Sequence, residues 1–172
     1  MKSKIVKVCG LTILCLLLIG CNKNDNNNNN LDDGFMKPSN SEEREELAKD
    51  CEVAVQKVYD EHKVNYNNQV IEGFCSKNSI EGDYYSIYFK INDNLIYQYS
   101  YSSVKDDVNL SGNTEEYEQN KKKCDDGSAT QYQSLVCSVQ KVLLNTYASI
   151  KKSASNEYLN NLYIEIDVSK LK

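Results

Sequence analysis

Tryptophan is absent, and proline and histidine occur once each, as Pro38 and His62. A single proline leaves no Pro-rich linker to divide the chain. A single histidine makes the usual catalytic groups scarce, and no Gly-rich phosphate loop, HExxH helix or GxSxG elbow is present to replace it. Long apolar runs are missing too. The uncharged stretch 8–19 is about a dozen residues, whereas roughly 20 are needed to cross the hydrocarbon core of a bilayer. It also holds Gly10 and Thr12 and gives way at once to polar chain, so it is too short to stay as a span.

What is present begins with a basic front, Lys2, Lys4 and Lys7, ahead of that apolar run, which is the outline of an export signal. At its end stand Leu18, Ile19, Gly20 and Cys21. These four residues resemble the lipobox of bacterial lipoproteins: a leucine, a variable residue, a small residue that admits the signal peptidase, and a thiol that takes a diacylglycerol thioether. The resemblance covers about the first 21 residues. It implies that 1–20 is a cleaved signal peptide and that Cys21 becomes the lipidated N-terminus at the outer face of a bacterial cell membrane. Two or more acyl chains, at about 0.8 kcal/mol per buried methylene, make a firm anchor.

Residues 22–34 are dominated by Asn and Asp and carry little that can be buried, so 21–38 reads as a disordered tether behind the lipid. Residues 39–172 fit one domain with a single core. Loss of the signal removes three lysines, leaving 17 basic against 25 acidic side chains and moving the formal charge from −5 to −8. An acidic surface argues against nucleic acid as a partner. The membrane would be reached through Cys21 and the lipid, and the remaining partner would be an envelope protein, peptide or glycan.

Of the seven cysteines, Cys9 and Cys15 leave with the signal and Cys21 is lipidated. Cys51, Cys75, Cys124 and Cys137 remain, an even number in an exported domain, which predicts two disulfides among three possible pairings. Cys51 with Cys75 and Cys124 with Cys137 are the local choice. No two of them have the close spacing of structural zinc, so no metal is expected. Cys124 follows Lys121, Lys122 and Lys123, which could lower a thiol pKa; half of a disulfide beside a solvated basic run is the expectation.

The pattern of elements predicts an α+β fold. A Ser-x-x-Glu capping box at 39–42 opens a helix whose apolar stripe runs through Leu47, Cys51, Val55, Val58 and His62 and which ends at Asn65, Asn67 and Asn68. Strands follow at 69–76, 84–91 and 95–102, the last two a hairpin with Tyr85, Ile87, Phe89 and Ile91 facing Leu95, Tyr97, Tyr99 and Tyr101. After a loop, a short helix capped by Asn113 ends near Gly127. A second capping box at 128–131 then opens a long helix with Tyr132, Leu135, Val139, Val142, Thr146 and Ile150 buried. A final strand alternates Leu162, Ile164, Ile166 and Val168 against Tyr163, Glu165 and Asp167. The expected architecture is an antiparallel sheet of about four strands with two main helices on one face. This layout, with its YxYxY strand, loosely resembles small lipoproteins of low-GC bacteria whose roles are undefined, and carries no functional residues over.

Thirteen tyrosines against three phenylalanines, six of them in the hairpin, are the most suggestive feature for recognition, since tyrosine offers rigid contact area and a hydroxyl. Tyr84 and Tyr88 fall opposite Tyr85 and form the candidate binding face if that side of the sheet is open. The expectation is a non-enzymatic, lipid-anchored binding module without a cofactor. The alternative is an envelope enzyme or inhibitor using the loop carboxylates Asp106, Asp107, Asp125 and Asp126. A passive surface coat is the third reading. His62, at the end of an apolar helical stripe, reads as a packed or helix-end residue.

Overall fold

The fold starts at a cap. In the computed structural model Asn40, with extended backbone, accepts from the Glu43 amide at 2.9 Å, while Glu43 Oε2 accepts from both the amide and the hydroxyl of Ser39. The reciprocal box is therefore Asn40 with Glu43, one residue beyond the Ser39 start read from the sequence. These bonds hold the Glu43 carboxyl below its usual range. The structure describes residues 37–63, 69–78, 83–112, 114–154 and 162–171, all in the unit spanning 33–172. The signal, Cys21, tether residues 22–36, the helix end at Asn65, Asn67 and Asn68, and the Asn113 cap lie outside the described residues; Pro38, read as the end of the tether, is buried.

Helix α1 spans Ser41–His62, followed by β1 (Glu72–Asn78), β2 (Tyr84–Asn92), β3 (Leu95–Ser102), β4 (Asp107–Ser111), α2 (Thr114–Asp126), α3 (Gln131–Ala154) and a two-residue β5 (Ile164–Glu165). A 3-10 turn, Val168–Lys170, follows β5. The strands form one antiparallel sheet in the order β4-β3-β2-β1-β5. The α+β class holds, with five strands.

β4 falls where the sequence reads as loop. Its three polar residues, Asp107, Asn109 and Ser111, mask the two alternating apolar ones, Val108 and Leu110, and only pairing with β3 makes it a strand. Asp106, with φ of 49°, takes the left-handed turn that starts it, a conformation aspartate tolerates better than most residues. The C-terminal strand is shorter than its alternation predicts, because only Ile164 and Glu165 pair with β1, through Cys75 and Phe74.

The layers differ from two helices on one face: α1 and α3 pack on opposite faces. Leu47, Cys51, Ala54, Val55, Val58 and Tyr59 of α1 bury one cluster with Tyr85, Ile87, Phe89, Tyr97, Tyr99 and Tyr101. On the other face Leu143, Tyr147 and Ile150 of α3 bury Phe74, Tyr88 and Ile96. The hairpin is apolar on both sides at its turn end, where alternation is broken by Tyr88 and Ile96, so both faces need a cover.

The inward stripe of α3 is Val136, Gln140, Leu143, Tyr147 and Ile150, about one residue round from the predicted one; Tyr132 is 58% and Leu135 49% exposed. Both stripes satisfy helical spacing. The structure selects the one carrying Gln140, whose amide donates to the carbonyls of Asn94 and Ile96 at the end of the hairpin. The helix is capped by Thr130 with Gln133 in a reciprocal pair rather than by the 128–131 box. Gly127, at φ of 74°, ends α2.

Both disulfides form the local pairs. Cys51–Cys75 joins α1 to β1 with a Cα separation of 5.9 Å, and Cys124–Cys137 joins α2 to α3 at 5.8 Å. Tyr88→Ala should lower unfolding free energy by about 3–5 kcal/mol, the range for emptying a large aromatic site. Urea unfolding checks this, and a loss near zero would mean that α3 does not seal that face.

Candidate functional site

The expected recognition face is closed around Tyr88. That residue is 2% exposed beneath α3, its hydroxyl accepts from Gln98 Nε2 at 3.2 Å, and burial pushes the phenol well above its ordinary range. Tyr84 is half-buried on the same side of the sheet, in a cross-strand row with Asn78, Ser102 and Asp107. Next to it runs the row Ser76, Ser86, Ser100 and Asn109. Tyr84 and Tyr88 thus do not form one exposed pair. Alternation alone placed them on one face correctly; what covered that face was a tertiary matter.

Asp106, Asp107 and Asp126 of the candidate carboxylates are engaged by their own neighbours, and the Asp125 charge adds to the burial that raises the Tyr117 phenol. Asp106 receives Lys57 Nζ at 3.1 Å and the Tyr101 hydroxyl at 3.4 Å. Asp107 accepts from the Asn109 side-chain amide, and Asp126 accepts from Ser128, whose side-chain and backbone hydrogen bonds hold its carboxyl low. Among the described residues no group of three or more His, Cys, Asp or Glu side chains could hold a metal ion. His62 is the last residue of α1, with its ring 4.8 Å from that of Tyr99, a packing contact. Cys124 is bonded to Cys137.

Lys77 is an unusual charge for a strand interior, at 8% exposure. Its ammonium meets Asp50 at 2.6 Å and Asp83 at 3.2 Å and lies 5.8 Å over the Tyr85 ring. Burial alone would lower this lysine, but the hydrogen bonds to Asp50 and Asp83 outweigh it and carry the net shift upward. The cluster fastens α1 to the β1–β2 hairpin. It offers no free group for chemistry.

Among the described residues a concavity lies elsewhere, between α1 and the C-terminal segment. It has a volume of about 470 Å³, within the range of small-molecule and side-chain pockets. Ala48, Val55, Ile164, Ile166 and Leu171 make it apolar, and Val53, 71% exposed, adds to it. Two features of sequence create it. Gly73 lets the last segment approach: a Cβ there would sit 2.7 Å from the Tyr88 carbonyl and 2.8 Å from Ile166 Cδ1, and the Ile166 amide donates to the Gly73 carbonyl at 2.9 Å. Asp167 then turns the chain by accepting from the Ser169 amide and hydroxyl, which returns Lys170 to Glu52 of α1 at 3.1 Å. The rim also holds Lys57, which Glu61 at 2.9 Å and Asp106 keep protonated well above its ordinary range.

Comparison with protein-family models, with curated proteins and with solved structures finds no match to this chain. The site is therefore read from its own chemistry. Its one sulfur, Cys51, is locked to Cys75, so the groove presents an apolar floor and mostly paired charges. Nothing in the sequence signalled it except the alternation at 162–168 and the amphipathic α1, whose shared boundary is visible only once both are placed. Among the described residues no helix is long and apolar enough to cross a membrane.

Lys77 generates a pH test. Its folded pKa lies above the unfolded value of about 10.4, so its contribution to stability is full below that pH and is lost as pH rises through the folded value. The Tyr88 and Tyr147 phenols, raised chiefly by burial, lose stability in the same direction. Lys77→Met should lower the urea midpoint at pH 8 and flatten its decline between about pH 9 and 11.5. An unchanged alkaline slope would show that the ion cluster does not stabilise the fold.

Proposed function

We propose that this protein is a lipid-anchored, extracytoplasmic, non-enzymatic binding module whose ligand site is the groove between α1 and the C-terminal segment. The observation that carries the binding reading is the groove itself: an open apolar floor ringed by ion pairs, with its one thiol consumed in a disulfide. The anchor rests on Leu18, Ile19, Gly20 and Cys21 behind a basic, apolar leader. Two disulfides fit a compartment outside the reducing cytosol.

The Tyr84 and Tyr88 surface is set aside as the ligand site because Tyr88 is enclosed. Tyrosine's prevalence in β2 and β3 is then a matter of core packing, with Tyr97 stacked on Tyr99 along β3 and Tyr85 on Tyr101 across the two strands.

Cells fed an alkyne fatty acid should yield labelled wild-type protein in the membrane fraction, whereas Cys21→Ser should be unlabelled and recovered from the soluble fraction. Label on the variant, or none on the wild type, would remove the anchor. Capture from the native envelope should retain a species that Ala48→Arg, which plugs the groove, loses. Identical retention by the two proteins would remove the groove as the site.

A further inference from the structure

The groove does not stand alone, because the sheet ends beside it. Among the described residues β5 is an edge strand, paired on one side with β1. The Ile166 amide donates to the Gly73 carbonyl, so by the alternation of an antiparallel ladder the amide and carbonyl of Glu165, the intervening residue, point away from β1. An exposed edge with outward backbone groups is a template for a further strand. The strand pleat sends Ile164 and Ile166 toward the α1 side, where they line the groove, and Glu165 to the opposite side with its partner Phe74.

We infer that the groove and the β5 edge together receive an extended peptide segment whose side chains alternate apolar and basic. The added strand would lie about 4.8 Å outside β5, with every second side chain on the α1 side entering the apolar concavity between Ala48 and Leu171. The intervening side chains fall beside the exposed Glu165. Two carboxylates share that side: Glu72 is paired with Lys151 at 2.6 Å, and the Glu165 charge acts on the same ammonium, so one lysine faces two acids there. At the groove and its rim Glu52, Asp167, Glu61 and Asp106 outnumber Lys57 and Lys170, and Glu165 adds a carboxylate on the far side of the strand. A basic segment is thus complementary, and a second copy of this acidic chain would bring the same carboxylates against one another. The shortness of β5 limits unspecific edge pairing and makes the pocketed side chain the source of selectivity.

This inference rests on the groove being the ligand site, and the test separates the two. The mature, detergent-solubilised lipoprotein is titrated with four probes: a capped seven-residue peptide of alternating lysine and valine, the same peptide with glutamate for lysine, the lysine peptide N-methylated on alternate backbone amides, and dodecanoate. The lysine peptide should saturate; the glutamate and N-methylated versions should bind at least about tenfold more weakly, a difference of about 1.4 kcal/mol. Ala48→Arg and the exposed Glu165→Lys should each weaken the lysine peptide by about the same factor with an unchanged thermal midpoint. No saturable binding of the lysine peptide, or equal binding of the N-methylated one, overturns the inference. If dodecanoate alone binds and Ala48→Arg abolishes it, the strand-addition idea falls and the groove remains a site. If no probe binds and envelope capture is also indifferent to Ala48→Arg, both fall.

Discussion

Burial of the β2–β3 hairpin on both of its faces is the constraint on which the rest of this molecule depends. Tyr85, Ile87, Phe89, Tyr97, Tyr99 and Tyr101 require an apolar cover on one side, and Tyr88 and Ile96 require one on the other. A single helix cannot meet both demands, so α1 and α3 are drawn to opposite faces. Each large aromatic removes on the order of 150–250 Å² from water. The two disulfides then hold the covers in place, Cys51–Cys75 fixing α1 to the sheet and Cys124–Cys137 fixing α2 to α3, each worth about 2–4 kcal/mol through the unfolded state.

This arrangement leaves the proposed site at the rim of the sheet. With the central strands sealed, the open surface moves to the margin of the sheet, where β5 contributes only two residues and α1 overhangs the end. The groove there is a by-product of geometry: Gly73 admits the C-terminal segment close to β1, Asp167 bends it, and the Glu52–Lys170 pair ties it back to the helix. Such exposed ion pairs contribute little to stability. They position charge around an apolar floor instead, and they leave the outward backbone of Glu165 beside it.

Much of the fold was legible because its period is plain. The α1 stripe through Leu47, Cys51, Val55 and Val58, the alternation of β2 and β3, and the nearest-neighbour cysteine pairs all follow from local spacing. The errors share one cause. A segment can satisfy two registers equally, and only its neighbour chooses between them: α3 turned by one position so that Gln140 could meet the hairpin carbonyls, and β4 became a strand because β3 offered a ladder. The candidate site was not legible for a related reason, since its walls come from residues more than a hundred positions apart.

By itself the sequence determined the α+β class, the hairpin, the presence of the three helices and a local preference among the cysteine pairings, because each depends on residues close in the chain. Only tertiary structure decided that Tyr88 is core, that the helices lie on two faces, and that a groove opens beside a free strand edge. Hydrophobic periodicity says which side of an element must be hidden, but it carries no information about what hides it.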